Sequence, residues 1–325
     1  MVRRAFITGI GGQDGSYLAD RLLADGLEVH ALTYTVDGPP EYCPAEVVLH
    51  AGDLTDLDGV RALLLDIDPH EVYNLAAISS VAQSWSEPDL TARVNGLGAV
   101  GLLESALVVQ EARGHQVAFV QASSAEMFGT PATSPQDETT PLAPASPYGA
   151  AKAYAHLAVG VYRRRDLHAT SAILYNHESP RRPARFVTRR ITSTVAQIAR
   201  GKADRLVLGN LDARRDWGWA PDYVGALVLA ARAATPADYV VATGVGHSVR
   251  EFVAAAFARA GIEDWEHLVE SDPALFRPAD ATDLTGDGSR ARRDLGWAPT
   301  VTFEEVVGRM VDADLLDAEL GTPDH

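Results

Sequence analysis

A glycine-rich turn set between a short apolar run and a helical stretch constrains this chain more than any other feature. Arg4–Thr8 (RAFIT) has the composition of a buried strand. Thr8-Gly9-Ile10-Gly11-Gly12-Gln13-Asp14-Gly15 follows it, and a helix is expected over Ser16–Asp25. Glycines at 9, 12 and 15 let the backbone turn tightly and bring its N–H groups close to a pyrophosphate. They also let the helix lean on the sheet with its N-terminus aimed at the phosphates. A tight loop without a ligand uses glycine too, but the strand before, the helix after and the position near residue 1 agree on a dinucleotide site.

Downstream, short apolar runs alternate with longer helical stretches. Strands are expected at Glu28–Tyr34, Val47–His50, Glu71–Asn74, Val117–Gln121 and Ala169–Tyr175, and helices at Asp56–Leu65, Thr91–Glu111 and Tyr148–Arg164. Such alternation implies an α/β fold, a doubly wound parallel sheet of the Rossmann type covered on both faces. Pro131–Pro147 reads as a loop, because prolines and small turn residues interrupt any period. Past Tyr175 the regularity fades. Helices Phe186–Arg200, Val249–Ala260 and Phe303–Leu315, with short strands Arg205–Leu208 and Tyr239–Ala242, suggest a smaller C-terminal α/β lobe. The expected division is 1–175 with about 215–244 as the dinucleotide-binding domain, and about 176–214 with 245–325 as the second lobe.

The composition narrows the function classes. A net charge of −16 argues against nucleic acid as a partner, since phosphates need a basic surface. No apolar run approaches the ~20 residues of a membrane helix. MVRRAFITGIGG lacks the apolar core of a signal peptide. The single cysteine, Cys43, excludes an internal disulfide, and no histidine or carboxylate cluster suggests a metal. The expectation is a cytoplasmic globular protein with any basic ligand contacts placed locally.

Ligands of open α/β sheets bind at the carboxyl ends of the strands, so residues there are the candidates. Thr33 and Tyr34 end the second strand. Asp53 and Leu54 follow the third, where Asp53 either reaches the adenine or caps the next helix. Leu75, Ala76 and Ala77 follow the fourth, either as core or as small residues beside a passing dinucleotide. The strongest constellation is Tyr148-Gly149-Ala150-Ala151-Lys152 with Ser123-Ser124-Ala125-Glu126. Tyr148 and Lys152 share a helix face one turn apart. A phenol ionises near pH ~10, and the Lys152 charge is expected to lower Tyr148 toward a working base. Ser124 can bond the same substrate oxygen.

On TGIGGQDGSYLA, GDLTD, YNLAA, SSAEMFG, SPYGAAKAYA, NHESPRR, FVTRRIT, LGNLDARRDWGWAPDYV, ATGVGHSVREF and FRPADATDL, the chain resembles the extended short-chain dehydrogenases/reductases. More narrowly, it resembles the GDP-mannose 4,6-dehydratases over nearly its whole length. The glycine turn and Tyr-x-x-x-Lys mark only the superfamily; NHESPRR, RDWG and FVTR are more specific. The resemblance implies a lyase that converts a nucleotide sugar to its 4-keto-6-deoxy form through a bound nicotinamide cofactor, as in deoxysugar biosynthesis. Tyr148 would take the C4 hydroxyl proton, Lys152 hold the nicotinamide ribose, Ser124 bond the C4 oxygen and Glu126 take the C5 proton. It further implies that Arg215 and Arg277 grip the diphosphate, Asn176 lies by the sugar, Val187 and Arg190 border the base, and Ser84 and Asp280 join the substrate site. His177 reads as structural.

Departures from the family pattern shape the finer expectations. The second strand runs into Thr35, Val36 and Asp37 without the usual arginines, so NAD is favoured over NADP, and the shortened connection favours a homodimer over a tetramer. Its interface would be built by helices Thr91–Glu111 and Tyr148–Arg164. Trp219 replaces a usual histidine, Pro183 a glycine, Asp280 a glutamate and Thr282 an aspartate. The rival readings are a nucleotide-sugar 4-epimerase, or another nucleotide-sugar-modifying relative, using Tyr148 and Ser124 alone. A dinucleotide-sensing protein without catalysis is a further rival, but such proteins tend to lose the Tyr/Lys pair.

Overall fold

The computed structural model describes residues 2–34, 38–276 and 283–320. Asp37, Arg277, Asp280 and Thr282 lie outside the described residues. Seven strands form the main sheet: β1 Arg4–Thr8, β2 Glu28–Thr33, β3 Val48–Ala51, β4 Glu71–Asn74, β5 Ala118–Ser124, β6 His168–Leu174 and, later in the chain, Asp238–Val241. They stand in the order Asp238–Val241, β6, β5, β4, β1, β2, β3, and every pairing is parallel. The order reverses beside β1, which puts the glycine turn at the switch point where such sheets bind ligands.

Burial on both faces explains the near-continuous apolar strands. On β1, Ala5 and Ile7 face a core shared with helices Gln13–Ala24 and Ala220–Ala231. Phe6 faces the opposite core, shared with helices Leu57–Ile67, Ala99–Arg113 and Pro147–Arg163. A third core, under Trp217, Phe252 and Met310, holds helices Val187–Ala199, Val249–Arg259 and Phe303–Leu320 together in the second lobe.

Besides the expected strand near Arg205–Leu208, that lobe carries short strands that the sequence pattern does not show. β7 Asn176–Glu178 pairs in parallel with β9 Arg214–Trp219, which also pairs with Gly246–Ser248 and Asp283–Leu284. Separately, β8 Leu206–Leu208 pairs with Val269–Ser271. Strand Asp238–Val241, expected at Tyr239–Ala242, extends the main sheet beyond β6.

Three other expectations are corrected. The first helix starts at Gln13 rather than Ser16, so the last glycine of the turn is already helical. Ser123 and Ser124 end β5 rather than follow it. The expected helix Thr91–Glu111 is a composite: Pro88–Thr91 is α-helical, Ala92–Gly98 is π-helical and Ala99–Arg113 is α-helical again. Within the π turn, buried Asn95 accepts from the Ile78 N–H at 2.8 Å and donates to the Ile78 carbonyl at 3.0 Å. Joined end to end, Pro88–Arg113 is long and apolar enough to cross a membrane, but 61% of its most apolar window is buried inside the protein. Core packing accounts for its composition.

Candidate active site

At the carboxyl edge of the sheet lies a cavity of about 950 Å³. Its walls are built from four strand ends. The turn after β1 contributes Gly9, Gly12, Gln13, Asp14 and Gly15; β2 ends in Thr33 and Tyr34; Asp53 and Leu54 follow β3; Leu75, Ala76 and Ala77 follow β4. Every expected cofactor contact except Tyr148 and Lys152 therefore lines one space.

Close backbone approach is what the glycines permit. Gly9 has φ +78°, and a Cβ there would sit 2.8 Å from the Ala76 nitrogen. A Cβ on Gly15 would lie 2.2 Å from the Gly9 carbonyl oxygen. Gly12 is the N-cap of helix Gln13–Ala24 and supplies no side-chain cap, so the first N–H groups of the helix point toward the cavity side of the turn. This cradle fits the diphosphate of a dinucleotide. Asp53 accepts from the Thr55 N–H and hydroxyl, both at 2.8 Å, while the cap of helix Leu57–Ile67 is Asp56.

A buried polar chain runs from this turn to the second cluster. The Thr8 hydroxyl donates to Asn74 Oδ1 at 2.6 Å and accepts from the Ala76 N–H at 3.1 Å. Asn74 Nδ2 donates to Gln121 Oε1 at 2.8 Å, and Gln121 donates to the Ala122 carbonyl at 2.9 Å. Lys152 Nζ donates to the same carbonyl at 2.8 Å. Satisfied buried networks of this kind fix side chains in one arrangement.

Ser124, Glu126, Tyr148 and Lys152 converge at the end of β5. Gly149 is the reason the helix can come so close: a Cβ there would lie 2.5 Å from the Glu126 carbonyl oxygen. Ser146 caps the helix by accepting from the Gly149 N–H at 3.0 Å. Tyr148, Lys152 and Ser124 are all buried, and Ser124 Oγ accepts from the Glu126 N–H while standing near enough to the tyrosine hydroxyl to favour its ionised form.

The electrostatics correct one expectation. Burial pushes the Tyr148 hydroxyl up to about 12, and Glu126 and Asp14 push the same way against the Ser124 hydrogen bond and Arg182. Burial likewise pushes the Lys152 ammonium down to about 8. Lys152 Nζ lies 5.9 Å from the centroid of the Tyr148 ring and is committed to a backbone carbonyl, so it does not bring the phenol into range by itself.

The residues expected at the substrate are more dispersed. Asn176 lies on β7, Val187 opens helix Val187–Ala199 and Arg190 is exposed on its next turn. Arg215 is buried on β9, with Nη1 donating to the Arg214 carbonyl at 2.7 Å. Ser84 is fully buried, and its hydroxyl donates to the Val81 carbonyl at 2.7 Å. A direct substrate contact by Ser84 is thus not available in this conformation. None of these five lines the large cavity.

Sequence reasoning passed over three arginines that do line it: Arg93, Arg182 and Arg185. Arg93 is ion-paired with Asp89 at 2.8 Å. Arg182 lies 3.7 Å from the Phe186 ring centroid and Arg185 5.0 Å, with Arg182 also paired to Glu178 at 3.1 Å. Of the three, only Arg182 carried a signal, as the last residue of NHESPRR; Arg93 and Arg185 stand outside that motif. Arg181, the neighbour of Arg182, instead stacks on Tyr17 and pairs with Asp20.

Comparison with known proteins agrees with this geometry. The family model described as GDP-mannose 4,6 dehydratase matches residues 6–310. GDP-mannose 4,6 dehydratase 2 of Arabidopsis thaliana is 47% identical over 324 residues, covering 96% of this chain and 86% of that protein. Among solved structures, the UDP-glucose 4-epimerase of Thermus thermophilus in complex with NAD superposes with a TM-score of 0.83 at 30% identity, covering 96% of this chain and 98% of that one. The Pseudomonas aeruginosa protein RMD, complexed with NADPH, has the same fold, with a TM-score of 0.80 at 24% identity, covering 97% of this chain and 98% of that one.

Proposed function

The chain belongs to the GDP-mannose 4,6-dehydratase family, and we propose that Ser124, Glu126, Tyr148 and Lys152 perform that reaction in it. It is a nicotinamide-dependent nucleotide-sugar 4,6-dehydratase, a lyase of the extended short-chain dehydrogenase/reductase fold. The observation that carries the assignment of residues is the convergence of these four at the end of β5, beside the glycine-lined cavity.

A nicotinamide held by the glycine turn and the ends of β2, β3 and β4 would supply the hydride chemistry, as acceptor at C4 and donor at C6. The protein manages the protons. Tyr148 accepts the C4 hydroxyl proton, with Ser124 holding the same oxygen. Ionisation of a phenol pushed up to about 12 needs a cation beside it, and a bound oxidised nicotinamide would add its positive charge to that of Lys152. Lys152, whose Nζ donates to the Ala122 carbonyl, would hold the nicotinamide ribose with its remaining N–H groups. Once C4 is a ketone, the C5 proton is acidic enough for a carboxylate; Glu126 removes it and passes it to the departing C6 hydroxyl, which leaves as water. As hydride arrives at C6, C5 regains a proton from solvent by way of Glu126, and Tyr148 returns the C4 hydroxyl proton to solvent. An epimerase needs no such carboxylate. Incubation with GDP-mannose should therefore give a product lighter by one water, and Glu126→Gln should accumulate a 4-keto hexose with C6 still hydroxylated. A product of unchanged mass from the wild type would sink this reading in favour of epimerisation.

The finer features follow from particular residues. The β2 end presents uncharged Thr33 and Tyr34, and Arg93 on the same cavity wall is held by Asp89, which supports NAD over NADP. Acid release of the copurified cofactor, identified by mass, checks this. Asn176, Val187, Arg190, Arg215, Arg277 and Asp280 are retained as candidate substrate contacts, with 176–214 and 245–325 as the lobe that holds the nucleotide sugar. Leu97, Tyr154, Leu157 and Val161 are exposed apolar side chains on adjoining helices, Leu157 at 60%. That patch supports a homodimer, for which light scattering should return twice the chain mass. A cytoplasmic setting suits a chain with one cysteine.

A further inference from the structure

His177 on β7 is hydrogen-bonded through both ring nitrogens. Nδ1 lies 2.7 Å from the Tyr175 carbonyl oxygen and Nε2 lies 2.9 Å from Asp14 Oδ2. Both of these oxygens can only accept when Asp14 is ionised. A neutral imidazole has a single N–H, so it satisfies one partner and turns a lone pair toward the other. Only the imidazolium satisfies both. The ring has little room to turn away, being 8% exposed and stacked on Tyr223 with centroids 4.5 Å apart. Asp14 is part of the cavity wall, one residue before Gly15. Neutral ties flank the pair: Gln13 Nε2 donates to the His177 carbonyl at 3.1 Å, and the Ser179 hydroxyl donates to Gln13 Oε1 at 2.8 Å.

We propose that the His177–Asp14 pair is a protonation-dependent clamp on the dinucleotide turn, so that cofactor affinity follows the charge state of His177. His177 is a positioning residue in this scheme, acting through Asp14, and the proposal rests on the dinucleotide reading of the cavity. The charged and titratable groups facing the pair are Arg182, Glu178, Tyr148 and Lys152. Burial pulls His177 down, but the charge and hydrogen bond of Asp14 outweigh it and leave the imidazole above its ordinary range. Burial pushes Asp14 up, and His177, Gln13 and Arg182 more than reverse that. The sign is therefore fixed: the clamp is closed below the folded pKa of His177, which lies above the ordinary histidine value, and opens as pH rises through it.

The test is calorimetric titration of NAD and of NADP into the full chain from about pH 6 to about pH 9, the range in which histidine changes charge. Loss of one charge-assisted hydrogen bond should raise Kd on the order of tenfold across that range in the wild type. His177→Asn and Asp14→Asn should bind weakly at the lower end already and show no such rise. Lys152 is present in all three proteins, so a rise that survives in His177→Asn belongs to Lys152 and overturns the clamp. Should the variants not fold, the wild-type His177 ring protons decide by NMR: a midpoint above ~6.5 that coincides with the loss of affinity supports the clamp, and a ring already neutral at about pH 6 overturns it. A wild type that binds neither dinucleotide at any pH would overturn the cavity reading itself, which is a different result.

Discussion

The main sheet and the second lobe reach their ligand-facing ends by different physical means. In the sheet, backbone meets backbone: Gly9 against Ala76, Gly15 against Gly9, and Gly149 against Glu126 leave no volume for a Cβ. In the lobe, polar staples do the corresponding work. Asp216 is fully buried on β9 and accepts from the Thr243 N–H at 2.9 Å, its hydroxyl at 2.6 Å, and the Gly244 and Gly286 N–H groups at 2.9 and 3.3 Å. Arg189 donates to the Pro180 carbonyl and pairs with Asp314 at 2.6 Å, tying the NHESPRR segment to helix Phe303–Leu320. Steric approach has a hard threshold, whereas a polar staple weakens by steps. The first kind of site should fail all at once under a single methyl group, the second in proportion to the bonds removed.

The largest expected effect lies in the chemistry mounted on the sheet. Tyr148→Phe removes one hydroxyl and no packing, so turnover should fall by about 10²–10⁴-fold, the usual worth of a positioned acid–base group. Binding of cofactor and nucleotide sugar should be nearly unchanged, as titration of each would show. Near wild-type turnover would mean that another group is the base. Next comes Gly15→Ala, whose Cβ would have to stand 2.2 Å from the Gly9 carbonyl oxygen. The turn must open, and Kd for the dinucleotide should rise by roughly a hundredfold or more, the equivalent of about 2.7 kcal/mol or more. A tight-binding Gly15→Ala protein would break the contrast between the two regions.

In the lobe, Asp216→Asn keeps the shape but turns an amide N–H₂ toward groups that already donate. The expected loss is about 1–3 kcal/mol of stability, read as a lower urea midpoint. Measured dinucleotide affinity should move much less, because the glycine turn is untouched. The smallest effect is reserved for the surface pair Arg205–Glu270, at 3.4 Å with both side chains more than half exposed. Arg205→Ala should cost about 0–1 kcal/mol, less still at high salt. A larger loss there would show that the two-stranded β8 ladder depends on that pair.

What was legible in the sequence follows the same divide. A glycine turn between strand and helix, Ser124 and Glu126 at a strand end, and Tyr148 and Lys152 one helical turn apart are local patterns. Local geometry carries them unchanged into the structure. Helix Ala220–Ala231 escaped notice because APDYVGALVLAA is apolar nearly all round and has no face to betray its period. Strands β7 and β9 escaped because three- and six-residue runs containing Asn, His, Arg and Asp do not alternate.

By itself, then, the sequence determined the sheet class, through alternation along the chain, and the place of the glycine turn and of the local pairs Ser124/Glu126 and Tyr148/Lys152, each written within a few positions. Tertiary structure alone decided which arginines face the cavity. Arg182 and Arg185 line it while their neighbour Arg181 packs on Tyr17, a choice made by backbone direction rather than residue type. It also decided the pairing of His177, whose partner Asp14 is 163 positions away, and the surroundings of Tyr148, whose hydroxyl burial pushes up to about 12. The physical reason is common to all three. Desolvation and pairing depend on what surrounds a group in space, and a one-dimensional pattern records only what stands beside it along the chain.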